Sequence, residues 1–318
     1  MFLPITLLVS IILSSNLVEA CSCSKHEWEP FSSRKPAMSY LSNFRELNSL
    51  SFVTTHSSYS YLIKDPLLQT QDFEVRLQMK YGVRGLDVGV YSSLGSFEIY
   101  VGDTALNITF DDVLDEVNEF LNNNPWELMI LMISRAHDSV RHSKNYCRVL
   151  NRYLSQQNGG RLVTKWQLND TIGLHRGKIL VASLDPAFRE CAFPIRENCL
   201  VNDDQDLDQE KVAKFGAVAK WSSLARFTRI MARGTSNCYV NDVSFAYKGN
   251  LDRKTLARDA GYRQFDNSCA QPLNLDAMEL FKKPRGFLVM LFDFICQKVI
   301  DTVIDANYGD SSWRSGLN

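Results

Sequence analysis

The chain has 318 residues, 45% hydrophobic and 22% charged, enough to bury a sizeable core and ordinary for an enzyme-sized globular fold. Thirty-five Lys and Arg against thirty-six Asp and Glu leave a net charge of −1. That balance argues against a nucleic-acid partner and against a strong electrostatic grip on anionic membrane.

The first twenty residues, MFLPITLLVSIILSSNLVEA, form an apolar run closed by a small residue. This is the pattern of a secretory signal peptide cleaved after Ala20, and the run is too short to span a bilayer comfortably. All eight cysteines (Cys21, Cys23, Cys147, Cys191, Cys199, Cys238, Cys269, Cys296) lie beyond it. An even number behind a leader favours disulfides over a metal site; Cys191 and Cys199 are close enough to staple one loop, and the connectivity stays open. Asn107-Ile108-Thr109 and Asn169-Asp170-Thr171 are glycosylation acceptors. A secreted, disulfide-bonded glycoprotein is expected.

Taken in order, Cys21–Pro36 reads as an irregular arm and Met38–Leu50 as a short helix leading into a β-branched run, Ser51–Thr55. Tyr61–Met79 has helical spacing at Leu62, Leu67, Leu68 and Val75. Tyr81–Val90 and Phe97–Val101 read as strands. Phe110–Asn124 is a stronger helix: Asp111 and Asp112 sit in its first turn, and Val113, Leu114, Val117, Phe120 and Leu121 make one apolar face. Glu127–Ser134 is nearly unbroken apolar sequence, the pattern of a strand buried on both faces. A helix follows over about Val140–Gln156. Strands are expected at Lys178–Leu184, Phe215–Trp221, Tyr239–Ala246 and Gly286–Asp293, separated by helix-length stretches. Alternation of this kind predicts an α/β fold with a parallel sheet. Phe287–Ile304 is apolar, but Asp293, Lys298 and Asp301 interrupt it as a membrane span.

Three short motifs carry a resemblance: Thr55-His56-Ser57-Ser58, then Gly82-Val83-Arg84-Gly85-Leu86-Asp87-Val88-Gly89, then Tyr100-Val101-Gly102. They resemble the T-H-D/N-S turn, the G-x-R-x-x-D-x-R strand and the Y/H-H-G strand end of the phosphatidylinositol-specific phospholipase C X domain, in its small single-domain form. The resemblance implies a single, somewhat irregular TIM-type (β/α) barrel over residues 21–318, with phosphoric diester hydrolase chemistry at the mouth where the strands end. It places the catalytic base at His56 and its orienting carboxylate at Asp293, since first and last strands are neighbours in a closed barrel. It adds Asp87 to the site, and Arg135, Arg176 and Asp206 as substrate contacts, although Asp208 stands where an aromatic is expected.

Two positions depart from the pattern. The phosphate-binding Arg is replaced by Gly89 and the acid His by Val101, and Arg84 points to the opposite strand face from Asp87. Losing a preorganised donor costs about 10²–10³ in rate, and losing a positioned acid about 10²–10⁴. Gly85 and Ser57 stand where calcium-dependent relatives have ligands, so Asp87 alone makes no metal site and no cofactor is implied. The expected function is a catalytically impaired binder of a phosphoinositide or inositol phosphate headgroup, with transient membrane-surface contact and no nucleic acid. The alternatives are an altered hydrolase using His56 and Asp293 with Arg135, Asp103 or His137, and a barrel with only an interaction role.

Overall fold

The structure, a computed structural model, describes residues 37–136, 146–156, 160–203, 216–245, 253–259, 262–263, 269–281, 284 and 286–309. Within them the strands are β1 (Ser51–Thr55), β2 (Gly85–Ser93), β3 (Ser96–Val101), β4 (Thr104–Thr109), β5 (Met129–Arg135), β6 (Leu162–Val163), β7 (Ile179–Ser183), β8 (Phe193–Pro194), β9 (Leu200–Asn202), β10 (Cys238–Asp242), β11 (Tyr262–Arg263), β12 (Cys269–Ala270) and β13 (Phe287–Phe292). The longer helices are α1 (Val75–Tyr81), α2 (Phe110–Asn123), α3 (Tyr146–Leu154), α4 (Ala217–Arg233), α5 (Leu273–Leu280) and α6 (Gln297–Tyr308).

The main sheet runs β6-β7-β5-β2-β1-β13-β10-β9, with parallel pairing along this whole path. β3 folds back antiparallel on β2, and β4 on β3. The first and last long strands are neighbours, Thr55 opposite Phe292, as a barrel requires. The parallel sheet curls into a half-barrel, the α/β barrel-type fold expected; among the described residues no ladder joins β6 to β9.

Strand alternation divides the core into two layers. Val53, Leu86, Val88, Leu131, Ile133 and Met290 pack in one cluster with Val113 and Val117 of α2 and Val299 and Ile300 of α6. Phe52, Ile130, Met132, Leu180, Val240 and Val289 fill the opposite, inner face. α2 begins with a capping box in which the Thr109 N–H donates to Asp112 Oδ2 at 2.7 Å. Gly82 closes α1 at φ +117°, a conformation that L side chains rarely adopt.

Several expectations are corrected. Of Met38–Leu50 only a single 3₁₀ turn forms, at Leu47–Ser49. The helix expected from Tyr61 starts only at Val75. Before it, Ser60 Oγ accepts the N–H groups of Thr70 and Gln71, and Asp65 caps Leu67, so side chains satisfy backbone groups that a helix would pair internally. Of Phe215–Trp221, expected as a strand, Phe215 lies outside the described residues and Ala217–Trp221 opens α4, which buries Ala217, Leu224, Phe227 and Met231 at helical spacing. Among the described residues the disulfides are Cys147–Cys191 and Cys199–Cys238, so Cys191 and Cys199 do not pair with each other. Cys296 is a buried free thiol, pushed up to about 11 by burial. Residues 1–36 lie outside the described residues, as do Val140–Ser143, where the helix over Val140–Gln156 was expected to begin.

Arg84 leaves the sheet at the end opposite the mouth. Its Nε donates to Glu127 Oε2 at 2.7 Å, with both side chains buried. Glu127 also accepts the N–H groups of Met38 and Ser39, and together these donors outweigh the burial penalty and lower its carboxyl from the ordinary value. Removing one member leaves a buried charge without its partner, at a cost of about 3–5 kcal/mol. Arg84→Met should therefore lower the urea unfolding free energy by roughly that amount, while Arg84→Met with Glu127→Leu should lose clearly less. Equal losses would contradict this account of the pair.

Candidate active site

β1, β2, β10 and β13 run parallel, so their C-terminal ends share one edge. His56 continues β1, its N–H donating to Phe292 O at 3.0 Å. The turn after it is pinned to β2: the Ser57 N–H donates to Asp87 Oδ2 at 3.0 Å, and the Asp87 N–H to Ser58 Oγ at 2.9 Å. Ser57 sits at φ +42°, a conformation that its two neighbours' bonds hold. From the next loop, Thr70 Oγ1 donates to His56 O at 2.7 Å, and Gln71 Nε2 donates to His56 O and Phe292 O. The loop thus ties the ends of β1 and β13 together.

Asp293 follows β13 and is 1% exposed. Its Oδ1 lies 2.8 Å from His56 Nδ1, and its Oδ2 accepts the Phe245 N–H at 3.3 Å. The Arg253 Nε stands 3.9 Å from the same Oδ2. The carboxylate fixes the ring's tautomer, so Nδ1 faces Asp293 and Nε2 is the free edge of a side chain 29% exposed. Burial would push the imidazole down, but Asp293, then Asp87 and Asp242, outweigh it and hold His56 up at about 9. Burial also raises the Asp87 carboxyl, against the downward pull of His56 and the Ser57 N–H.

Residues 48–183 match the family model described as phosphatidylinositol-specific phospholipase C, X domain. The 1-phosphatidylinositol phosphodiesterase of Listeria monocytogenes is 32% identical over 111 residues, 33% of this chain and 34% of that protein. The match thus spans about a third of that relative's length. The same-named protein of Staphylococcus aureus NCTC 8325 is 26% identical over 268 residues, 79% of this chain and 73% of that protein. The fold is that of solved bacterial phosphatidylinositol-specific phospholipases C. The Listeria structure superposes with a TM-score of 0.64 at 20% identity, covering 85% of this chain and 97% of that one. A Staphylococcus aureus structure gives 0.65 at 18% identity, covering 86% and 98%.

The structure brings His56, Asp87 and Asp293 together and separates them from the other candidates. Asp87 lies opposite Met132 of the inner cluster, and Gly89, two residues on, shares its face. A Cβ on Gly89 would come within 2.7 Å of the Tyr100 carbonyl oxygen, so the backbone of β3 occupies the direction a side chain would take. Val101 does not look into the hollow, contrary to expectation: it is packed with Ile99 and Phe97 in the outer cluster, and Tyr100 is the residue paired with Gly89.

Arg135 ends β5 opposite Val90, on the outer face. Its Nε donates to Asp185 Oδ2 at 2.8 Å, and that hydrogen bond raises the guanidinium from its ordinary value. Arg176 precedes β7, at the opposite end of the sheet from His56; it donates to the carbonyls of Met38, Trp126 and Leu41, which removes it from this site. Asp103 is exposed in the turn between β3 and β4. Asp206, Asp208 and His137 lie outside the described residues. Among the described residues no group of three or more His, Cys, Asp or Glu side chains is placed to hold a metal ion.

Two residues of the site were missed. Asp242 ends β10 as Asp293 follows β13, a signal present in the sequence as an acidic residue closing an apolar run. Arg253 belongs to no motif and no predicted strand end.

His56 titrates about 9 in the fold, above its ordinary value near 6.5. Its contribution to stability is therefore complete below pH 6.5 and lost as pH rises through 9. The unfolding free energy should fall by on the order of 3 kcal/mol across that window, and His56→Gln should flatten the profile. A wild-type profile already flat there, or a His56 NMR titration midpoint near 6.5, would refute the assignment.

Proposed function

We propose that this protein is a secreted, phospholipase-C-like binder of a phosphorylated inositol headgroup that turns over phosphodiesters poorly. The observation that carries the reading is the setting of His56, whose Nδ1 lies 2.8 Å from Asp293 Oδ1 while Asp87 Oδ2 accepts the next residue's N–H. An imidazole held at about 9 is neutral in only about one molecule in a hundred at pH 7, so it meets a ligand as a cation rather than as a base. A base of this kind works best with its pKa near the working pH. Position 89 supplies no cation, and the Tyr100 carbonyl fills the space beside it. The relatives named 1-phosphatidylinositol phosphodiesterases point to an inositol phospholipid as the ligand class.

Secretion is supported by the disulfides Cys147–Cys191 and Cys199–Cys238, which suit an oxidising compartment, and by the apolar first twenty residues. Contact with a membrane surface is supported by exposed leucines in connections at the strands' C-terminal edge: Leu62 and Leu67 after β1, and Leu94 between β2 and β3. A second reading, slow hydrolysis, draws on the intact His56–Asp293 pair and the open Nε2 edge. Arg135, held by Asp185, and Asp103, exposed in its turn, do not strengthen it.

The test compares turnover of phosphatidylinositol vesicles and of a soluble inositol phosphodiester with calorimetric binding of inositol 1-phosphate, in wild type and His56→Ala. Turnover should lie at least about 10³-fold below that of the Staphylococcus aureus relative. Binding should be saturable, weaken above pH 9, and weaken in His56→Ala. Turnover within tenfold of the relative and abolished in His56→Ala would establish the second reading instead. Absence of binding would remove the first.

A further inference from the structure

The mouth holds three carboxylates near His56: Asp87, Asp242 and Asp293. A ligand phosphate entering there meets repulsion unless cations other than His56 oppose it. Arg253 is such a cation. Its side chain is 15% exposed, and its one polar partner among the described residues is Asp293 Oδ2, at 3.9 Å from Nε. A guanidinium carries five N–H donors and no acceptor. Among the described residues, one so far withdrawn from water has a single long ion pair for five donors, and such groups are rare unless something satisfies them.

Arg253 is also held in place. Residues Thr255–Asp259 form a π-helical turn, a distortion found frequently at functional sites. Asp72 clamps both ends of the segment: its Oδ2 lies 3.0 Å from Lys254 Nζ and 2.7 Å from Arg258 Nη2. Burial would raise the Asp72 carboxyl, but Arg258 and Lys254 outweigh it and lower it from its ordinary value. Asp72 directly follows Gln71, whose amide binds the carbonyls of His56 and Phe292. One loop therefore sets both the His56 backbone and the segment that begins with Arg253. The two oxygens of Asp293 then separate the two cations, His56 on Oδ1 and Arg253 on Oδ2.

From this geometry we infer that Arg253 is the anion contact of the site, a guanidinium that meets the phosphate of a mono- or diester from the side of β13 and compensates for the glycine at position 89. The inference rests on the headgroup reading above. Arg253 is a binding residue here, and Asp72 positions it.

The experiment measures binding of inositol 1-phosphate, inorganic phosphate and phosphatidylinositol vesicles to the purified full chain. The variants are Arg253→Gln, Arg253→Lys, Asp72→Asn and, as a control outside the site, Arg148→Gln on α3. A charge-assisted phosphate contact predicts a loss of about tenfold or more in Arg253→Gln, partial recovery in Arg253→Lys and no change in Arg148→Gln. Asp72→Asn should weaken binding less than Arg253→Gln does. Loss toward inositol 1-phosphate and vesicles alike marks a contact to the headgroup phosphate. Loss toward inorganic phosphate and inositol 1-phosphate with vesicle binding retained marks a free-phosphate site. Both outcomes support the contact.

Wild type that binds none of the ligands overturns the headgroup reading itself. Wild-type binding with Arg253→Gln unchanged overturns only the role of Arg253. Should Arg253→Gln not fold, protection of Arg253 from phenylglyoxal, read by peptide mass, decides in the wild type: saturating inositol 1-phosphate must slow its modification, and an unchanged rate refutes the contact.

Discussion

A carboxylate almost without exposure at the end of an apolar strand is the constraint from which the mouth is built. Asp293 comes directly after β13, six residues buried without exception, and cannot be carried there as a charge without compensation. Every group that reaches it supplies some: the imidazole on Oδ1, the Phe245 N–H and the Arg253 guanidinium on Oδ2. Asn274 and Thr70 hold the backbone on either side, through Asp293 O and the Phe294 N–H. Removing any of these partners leaves the charge worse off, which ties β1, β10, β13 and the 253–259 segment to one another more firmly than apolar contact alone.

The same carboxylate decides what His56 does. A base needs a neutral ring, and a ring is kept neutral by burial or by nearby cations. Here Asp87 and Asp242 add to the pull of Asp293. Burial alone loses that contest, and the ring is raised toward the imidazolium. An imidazolium is a poor acceptor and a good partner for an anion.

The part of this that was legible in the sequence is the part carried by strand ends. Ser51–Thr55 followed by His56, and Gly286–Phe292 followed by Asp293, each read as a buried run ending in one polar residue, and the adjacency of first and last strands joined them. Period-two alternation placed Asp87 and Gly89 on one face correctly. It also kept Phe97, Ile99 and Val101 on one face of β3; the resemblance had set Val101 at the mouth, and pairing with β2 makes that face the outer one. Arg176 precedes its strand, which puts it at the wrong end of a parallel sheet, and that was open to inspection. Phe215–Trp221 alternates over too few residues to separate a strand from the first turns of a helix. Arg253 was invisible for a different reason: its role comes from a clamp between residues 186 apart, Asp72 and Arg258, and no local pattern encodes that.

At position 89 a glycine stands where the resemblance implies an arginine. An exchange of one side chain would leave room for the old one. Here the Tyr100 carbonyl stands 2.7 Å from where a Cβ would be, and a carbonyl of a paired strand cannot swing aside as the end of a flexible side chain can. β3 also packs its alternate residues, Phe97, Ile99 and Val101, into the outer core against α2 and α3, so shifting its backbone would disturb those contacts as well. The β3 backbone occupies the place from which a cation would approach on the β2 side. A positive group can reach the mouth only from elsewhere along the rim, and across β13 from β2 the segment that begins with Arg253 already presents one.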